Sequence, residues 1–176
     1  YLVADVRPQV AGILQKRLFK EGSEVKEGQA LYQIDPAVYE AAVASAKAEL
    51  QRAQAVLDQT RLTANRYAQL VKTNAISKQN NDDAQAAYKQ AQAAVAAAEA
   101  GLKNAQINLD YTTVRSPISG RIGRSLVTPG ALLSAHQAQN MAVVQTLDPI
   151  YVDVTQSSKE ILSLKTVSYT HLRAHE

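Results

Sequence analysis

A long helical segment interrupts this chain between two short stretches of β-like sequence. Residues 37–110 contain no proline, one glycine and 22 alanines among 74 positions, a composition that strongly favours helix. The segments on either side carry the glycines, prolines and β-branched residues that are typical of short strands and turns. Material for a globular core is therefore confined to the two flanks, and we predict a β-domain with a helical insertion. This organisation favours a spacer or connector over an enzyme.

The two flanks share one order of features. Each has a β-rich run before a glycine, a turn that ends in Val-x-x-Gly, and a closing apolar-Asp-Pro triplet. The first copy consists of Pro8, Val10, Gly12, Ile13, Val25, Gly28, Leu31, Ile34, Asp35 and Pro36, and the second of Pro117, Ile118, Gly120, Ile122, Val127, Gly130, Leu132, Leu147, Asp148 and Pro149. Such glycines allow the positive φ of tight turns. Two half-motifs can close one core by interlocking, although two unrelated hairpins with similar turns would give the same pattern.

The insertion has the hydrophobic period of a two-stranded coiled coil. Apolar and small residues alternate gaps of four and three over about four heptads in each arm. The larger residues occupy mostly one heptad position, and alanines fill the other, so the two helices can approach closely. We assign the coiled-coil seam to Val43, Leu50, Leu57 and Val71 in the first arm and to Tyr88, Val95, Leu102 and Leu109 in the second.

The ends of the two arms carry helix-boundary signals. Asp35 and Pro36 predict the N-cap and the first helical position of the first arm, and Ser77 predicts the N-cap of the second. Asn74 breaks the heptad pattern between them, which predicts that the arms fold back antiparallel. At roughly 1.5 Å per residue, arms of about 33 to 36 residues form a rod about 50 Å long.

Charge and composition argue against several classes of function. The 19 basic and 16 acidic side chains are interspersed and give a net charge of only +3, which does not support nucleic-acid binding. Cysteine is absent, which excludes disulfides and thiolate metal sites. No apolar run reaches the roughly 18 residues that a membrane-spanning helix needs. Because Tyr1 opens directly into strand-like sequence, we expect a cytosolic protein or a leader that lies upstream.

Several residues that suggest chemistry lack the partners that the chemistry needs. The loop at 22–28 has the glycines of a phosphate loop but not its Gly-Lys-Ser/Thr ending. His171 and His175 have the spacing of metal ligands on a helix, yet no Glu follows His171 to act as a base or third ligand, and His136 stands alone. We therefore predict no catalytic residue, no metal site and no cofactor.

The repeated flanks resemble the two halves of the lipoyl/biotinyl fold, a flattened β-sandwich. The predicted fold class is α+β: a lipoyl-like sandwich built from two sequence-separated halves, interrupted by a long antiparallel helical hairpin, with the start of a truncated β-barrel domain at the C-terminus. Carrier domains of this fold hold a modified lysine in an Asp-Lys-Ala or Met-Lys-Met triplet where the halves join. Neither triplet occurs in this sequence, so a biotin or lipoyl carrier is only a minor alternative.

The layout and several motifs together resemble the periplasmic adaptor proteins, also called membrane fusion proteins, of tripartite RND multidrug efflux pumps of the AcrA/MexA type. The motifs occupy residues 6–12, 19–23, 31–36, 116–123 and 147–154. By this resemblance the lipoyl-like domain comprises residues 1–35 and 111–148, the hairpin residues 36–110 with its tip at about 66–80, the start of the barrel residues 149–165, and a tail that is not native to the protein residues 166–176.

The resemblance implies a non-enzymatic adaptor that links an inner-membrane RND transporter to an outer-membrane channel. In the family an Arg, a Leu four residues later and a Ser seven residues further on engage the channel, and Arg66, Leu70 and Ser77 have this spacing. Without the resemblance, the same residues read as a solvated charge, a packing residue and an N-cap.

The resemblance also implies a periplasmic location, a lipid anchor that holds the full-length protein at the inner membrane, and self-association as a trimer or hexamer, with no nucleic-acid partner. An adaptor for an ABC-type exporter is the alternative within the same class of protein.

Overall fold

The computed structural model describes residues 2–146. Its elements in chain order are β1 (Val3–Val6), β2 (Gly12–Arg17), β3 (Glu24–Val25), β4 (Ala30–Ile34), α1 (Ala37–Leu70), a 3-10 turn (Val71–Thr73), α2 (Lys78–Asp110), β5 (Thr113–Arg115), β6 (Gly120–Ile122), β7 (Leu132–Leu133) and β8 (Ala142–Gln145). The predicted α+β class, with a helical hairpin between two groups of strands, is confirmed. The second closing triplet at 147–149, the predicted barrel start at 149–165 and the tail at 166–176, with its two histidines, lie outside the described residues.

The strands form two four-stranded sheets in which the two halves of the sequence interlock. One sheet has the order β1-β8-β6-β3 and the other the order β5-β4-β2-β7, and all pairings are antiparallel. Each sheet takes two strands from each half. Replacing every strand by its counterpart in the other half, β1 by β5 and so on to β4 by β8, converts one sheet order into the other. The sequence repeat is therefore a structural repeat, and neither half can form a sheet of this order alone.

A single hydrophobic core lies between the two sheets. Val10 from the first half is buried in this core, and Ile118 from the second half packs against it, so the prediction that the flanks share one core is confirmed. Tyr32 is fully buried near its centre, where the Phe19 ring meets it edge-on with the ring centroids 5.2 Å apart. Such an edge-to-face pair adds to the free energy that burial of the two rings already contributes.

The turns of the sandwich depend on glycine at the repeated positions. Gly28 and Gly130, which close the two Val-x-x-Gly turns, have φ of 76° and 90°, as the repeat predicted. Gly120 serves a different need, because a Cβ at this residue would lie 2.4 Å from the backbone carbonyl oxygen of Gln145. The β6 and β8 strands can approach each other at this point only without a side chain.

The sandwich fixes the base of the hairpin because the hairpin begins and ends on neighbouring strands. The chain leaves β4 into α1 and returns from α2 into β5, and β4 pairs with β5. The N–H of Ile34 donates to the carbonyl oxygen of Thr112 at 2.8 Å, directly beneath the two helices. In addition, the Tyr39 hydroxyl in the first turn of α1 donates to the carbonyl oxygen of Ala11 at 2.7 Å. Both arms are thus held at one end by the same sheet.

The first helix begins one residue later than predicted. Pro36 already has helical φ and ψ of −85° and −10°, but α1 starts at Ala37. Asp35 makes the expected contact, since its Oδ1 accepts from the N–H of Ala37 at 3.1 Å. A carboxylate in this place satisfies one of the free N–H groups at the start of a helix.

The two helices pack against each other along a narrow contact. Only four residues of the two helices are buried, and all four are alanines: Ala53 and Ala64 in α1 and Ala84 and Ala91 in α2. The eight larger residues that we assigned to the seam are half-buried, and one of them, Val71, belongs to the 3-10 turn beyond the end of α1. The hairpin therefore consists of two helices side by side, with no third layer to cover them.

Candidate functional site

The candidate site is the tip of the helical hairpin, where α1 ends and α2 begins. Asn74 closes the 3-10 turn that follows α1 and has the left-handed conformation, with φ of 55° and ψ of 22°. The N–H of Ala75 donates to the carbonyl oxygen of Leu70 at 3.0 Å, and the N–H of Asn74 to that of Val71 at 3.2 Å. This pair of bonds is a Schellman motif, which satisfies carbonyl groups that the end of a helix leaves free. Asparagine tolerates the left-handed region better than other residues that carry a Cβ.

The return of the chain is fixed by Ser77. Its backbone is extended, and its Oγ accepts from the N–H of Asn80 at 3.2 Å. This is the hydrogen bond of an N-cap, and the predicted cap is confirmed. The connection between the two helical segments is therefore short and hydrogen-bonded at both of its ends. A tip of this kind can hold side chains in fixed positions for recognition by a partner.

The three residues that the family spacing singles out differ in their exposure. Arg66 is exposed on α1, Leu70 is half-buried as the last residue of α1, and Ser77 is exposed at the start of the return. Arg66 and Leu70 are four residues apart and share one face of the helix. Ser77 lies across the turn and already accepts one hydrogen bond as the cap. The tip thus offers a positive charge, an apolar side chain and a hydroxyl.

Two lysines at the tip were not singled out from the sequence. Lys72 lies in the 3-10 turn and Lys78 is the first residue of α2, and both side chains are exposed. Together with Arg66 they are the charged residues of segment 62–81, which contains no aspartate or glutamate. The absence of acidic residues over 20 positions is the sequence signal that could have identified them.

A hydrogen bond between the arms braces the hairpin behind the tip. The side-chain amide of Gln85 in α2 donates to the backbone carbonyl oxygen of Ala64 in α1 at 3.3 Å. Ala64 is itself buried, and Gln85 follows the buried Ala84 in α2. The bond links the two helices close to Arg66 and stabilises their relative position at the tip.

Asp5, on the edge strand β1, is an acidic residue of the sandwich that lies beside a hollow and has two side-chain partners. It lines an open hollow of about 420 Å³ between the edge strands β1 and β5. The side-chain amide of Asn140 donates to Asp5 at 3.0 Å and Arg7 forms an ion pair with it at 3.0 Å. The bond from Asn140, followed by that from Arg7, lowers the pKa of Asp5 below its ordinary value. This carboxylate is held ionised, which is the opposite of what a general acid needs.

Within residues 2–146 no group of three or more histidine, aspartate or glutamate side chains is placed to hold a metal ion. Nor does this part of the chain contain a helix that is both long enough and apolar enough to cross a bilayer.

A β-sandwich of two interlocked halves, interrupted by a long helical hairpin, is the architecture of the membrane fusion proteins. Residues 2–145 match the family described as RND MFP, barrel-sandwich hybrid domain. The chain belongs to this family.

Individual relatives agree with this assignment. The chain is 58% identical to the multidrug efflux pump subunit AcrA of Escherichia coli K12. The matched stretch of 165 residues covers 94% of this chain and 42% of the relative. The chain is 61% identical over 165 residues to the antibiotic efflux pump periplasmic linker protein ArpA of Pseudomonas putida, with 94% and 41% covered. The chain therefore spans about two fifths of the length of these relatives.

Solved structures show the same architecture. The crystal structure of MacA from Actinobacillus actinomycetemcomitans superimposes with a TM-score of 0.58 at 28% sequence identity, over 83% of this chain and 49% of MacA.

Proposed function

We propose that this chain is the sandwich-and-hairpin part of a non-enzymatic periplasmic adaptor, which links an inner-membrane RND transporter to an outer-membrane channel in a tripartite drug efflux pump. The observation that carries the proposal is the position of Arg66, Leu70 and Ser77 at the tip of a projecting hairpin, in a chain that belongs to the RND membrane fusion protein family. The full-length protein is anchored to the inner membrane by a lipid and assembles as a trimer or hexamer.

The architecture suits a connector because it separates a rigid base from a distant contact surface. The base is the interlocked sandwich, and both helices are tied to its β4 and β5 strands. The arms, α1 of 34 residues and α2 of 33, place the tip about 50 Å from that base at roughly 1.5 Å per residue. A tip at this distance can reach a partner that the sandwich itself does not touch.

The tip residues have complementary roles in this proposal. The Arg66 guanidinium offers several N–H donors to carboxylate or carbonyl groups of the channel. Leu70 supplies apolar contact, and its partial exposure leaves surface that docking can bury. The Ser77 oxygen is occupied by its cap bond, but its hydroxyl hydrogen is available as a donor. The substrates of the pump need not touch any of these groups.

A biotin or lipoyl carrier is not favoured by the fold. In a carrier domain the modified lysine occupies the turn that joins the two halves, and in this chain that position holds the hairpin from Ala37 to Asp110. The sandwich therefore has no free turn there that could present a lysine to a ligating enzyme.

The proposal is tested by Leu70→Asp and Arg66→Asp in the full-length protein, with drug resistance as the readout. We expect both variants to lose most of the resistance, because a carboxylate at position 70 is costly to bury and a carboxylate at position 66 replaces a positive charge with a negative one. Leu62→Asp is the matched control. Leu62 is an exposed leucine of the same helix, with 62% of its surface accessible, and lies outside the trio.

A crosslinking measurement separates docking from expression. The chain contains no cysteine, so Ser77→Cys provides a unique attachment point for a photoreactive crosslinker. We expect a crosslinked product with the outer-membrane channel that disappears when Leu70→Asp is added. Full drug resistance in Leu70→Asp and Arg66→Asp cells, at unchanged protein level, would remove the tip from the mechanism.

A further inference from the structure

The net positive charge of this chain is located at the tip of the hairpin. Segment 62–81 holds three cationic side chains, Arg66, Lys72 and Lys78, and no acidic one. The rest of the chain contains 16 basic and 16 acidic side chains, which cancel, so the net charge of +3 resides in these 20 residues. The first acidic residues beyond the tip are Asp58 on α1, in an ion pair with Arg61, and Asp82 on α2.

The three cations are available to a partner. All three side chains are exposed, and none of the ion pairs between residues of the 2–146 range includes any of them. In contrast, the arginines Arg7, Arg17, Arg52 and Arg61 elsewhere in the structure each pair with a carboxylate two to four residues away. An unpaired charge at an exposed tip contributes little to the fold and acts mainly through its field.

The position of Lys78 is not explained by the stability of its helix. Lys78 is the first residue of α2, where the helix dipole is positive and favours an acidic side chain. The first turn of α2 contains no acidic residue at all. Lys72, at the C-terminal end of α1 and its 3-10 turn, is compatible with the opposite dipole. Lys78 is therefore placed against the charge preference of its helix end, whereas Lys72 is not.

The tip is built for a protein surface and not for a lipid surface. Peripheral membrane segments combine basic residues with exposed Trp, Phe or Leu that enter the bilayer. Among the described residues, the exposed large hydrophobic side chains of the hairpin are Val38, Val56, Leu62 and Ile107, and Leu62, at the first position of segment 62–81, is the one that lies in that segment. Three charges beside a single exposed leucine, in a segment without Trp or Phe, favour recognition of a fixed set of carboxylates.

We propose that the hairpin tip recognises a carboxylate-rich surface at the periplasmic end of its channel partner, and that Lys72 and Lys78 steer the approach to it. This inference rests on the proposed docking function and specifies the chemistry of the partner. Opposite charges increase the rate of productive encounter and fix the register of docking, whereas the short-range contacts of Leu70 and Ser77 hold the complex. The steering is strongest at low salt, since the screening length falls to about 8 Å at 0.15 M ionic strength.

The experiment measures association and dissociation rates of the 176-residue chain with an outer-membrane channel of a tripartite RND pump, purified in nanodiscs of uncharged lipid. We expect Lys72→Glu/Lys78→Glu to reduce the association rate by about tenfold or more at low salt, with a much smaller change in the dissociation rate. The variant Lys72→Gln/Lys78→Gln should flatten the salt dependence of the association rate. A channel variant whose periplasmic-end carboxylates are replaced by amides should have the same effect on the wild-type chain.

The matched control is Lys47→Glu/Lys103→Glu, which changes the net charge by the same amount at exposed positions nearer the base of the hairpin. This control should bind at the wild-type rate. An association rate that depends neither on salt nor on the charge reversal at Lys72 and Lys78 overturns this inference but leaves the docking function intact. Failure of the wild-type chain to bind the channel at any salt concentration overturns both. Lysine-dependent binding to vesicles of phosphatidylcholine and phosphatidylglycerol, without binding to the channel, would show that the tip recognises a membrane surface and would overturn the inference.

Discussion

The sandwich and the hairpin bury their side chains in opposite ways. In the sandwich, large residues such as Leu14, Tyr32 and Ile122 are fully inaccessible to solvent. In the hairpin, the buried residues of the described structure are alanines, and every larger seam residue remains half-exposed. Because burial of apolar surface is the main stabilising contribution in folding, most of the stability per residue lies in the sandwich. The hairpin is stable because its two ends are fixed in the sandwich and its arms support each other.

This difference separates two tasks along the chain. The sandwich tolerates little change, because each half contributes two strands to each sheet. The hairpin has a broad solvent-facing surface that can vary without loss of the fold, including the tip. A protein that must contact partners far from its base gains from such a separation, since contact residues can change while the base remains the same. Paired substitutions, one in each region, test this separation.

The largest effect is expected from truncation of a fully buried sandwich residue. Ile122→Ala should reduce the free energy of unfolding by about 3 to 4 kcal/mol, since it removes a completely buried side chain and leaves a cavity. Leu102→Ala in the seam should cost only about 1 to 2 kcal/mol, because Leu102 is half-buried and solvent can occupy the space. Urea unfolding followed by circular dichroism measures both. Equal losses would contradict the contrast between the two regions.

Substitutions of two glycines should change the free energy of unfolding in opposite directions. Gly120→Ala should destabilise the sandwich by about 2 to 3 kcal/mol, because the new Cβ would lie 2.4 Å from the Gln145 carbonyl oxygen and force β6 and β8 apart. Gly101→Ala should stabilise the hairpin by up to about 1 kcal/mol, since Gly101 is a helical glycine with no neighbouring atom within 4 Å of the added Cβ. Thermal unfolding of both variants against the wild type gives the two signs. A destabilised Gly101→Ala would show that the arms pack more tightly than the structure indicates.

The same contrast explains what the sequence could predict. The hairpin was predictable in detail because its signals are local: a heptad period, an N-cap serine and an asparagine at the break. The sandwich was predictable only as two interlocking halves. Its strand order depends on pairings between the two halves, which join residues about 80 to 140 positions apart, such as Gln33 with Thr113 and Val3 with Gln145. Strands of two residues such as Leu132–Leu133 carry no alternating pattern that could identify their partners.

The candidate site shows a different limit. Arg66, Leu70 and Ser77 were identified by the spacing of a family motif, and spacing alone does not distinguish a recognition residue from a solvated charge or a cap. The structure adds the physical setting: a Schellman motif at Asn74 and an exposed Lys78 at a helix start that favours acids. These features depend on the exact ends of two helices, which sequence patterns locate only to within a few residues.

Two tyrosines, one in the sandwich and one in the hairpin, allow the two regions to be compared at the level of single hydrogen bonds. The buried Tyr32 hydroxyl lies 3.0 Å from the Met141 carbonyl oxygen, to which it donates, and 2.8 Å from the Ser125 hydroxyl. Tyr32→Phe removes this hydrogen bond and should cost about 1 kcal/mol, since the Met141 carbonyl oxygen still accepts from the N–H of Leu126 at 2.8 Å. Tyr88→Phe should be nearly neutral, because its hydroxyl only accepts from the exposed Gln92 side chain at 3.0 Å. Urea midpoints at neutral pH measure the difference.

The pH dependence of the Tyr32 variant has a definite sign. Burial raises the pKa of Tyr32 above its ordinary value of 10.0, with the Ser125 hydrogen bond acting in the opposite direction. The folded state therefore prefers the neutral phenol. This contribution to stability is fully present below pH 10 and is lost as the pH rises from the unfolded-state pKa of about 10 towards the higher folded-state pKa. The stability difference between wild type and Tyr32→Phe should consequently narrow above about pH 10. A constant difference up to pH 11 or so would show that the phenol is not protected.

The smallest effect on global stability is expected at the tip itself. Asn74 has φ of 55°, a conformation that costs a residue with a Cβ about 1 kcal/mol and costs glycine almost nothing. Asn74→Ala should therefore loosen the turn by about 1 kcal/mol and Asn74→Gly should preserve it. Neither variant should shift the global unfolding midpoint measurably, because the tip can open locally while the sandwich stays folded. Hydrogen exchange of the Ala75 N–H, which donates to Leu70, reports the local change. In the proposed docking function the turn positions Leu70 and Ser77, so Asn74→Ala should also weaken crosslinking from the tip. A global shift of the midpoint would mean that tip and sandwich unfold as one unit.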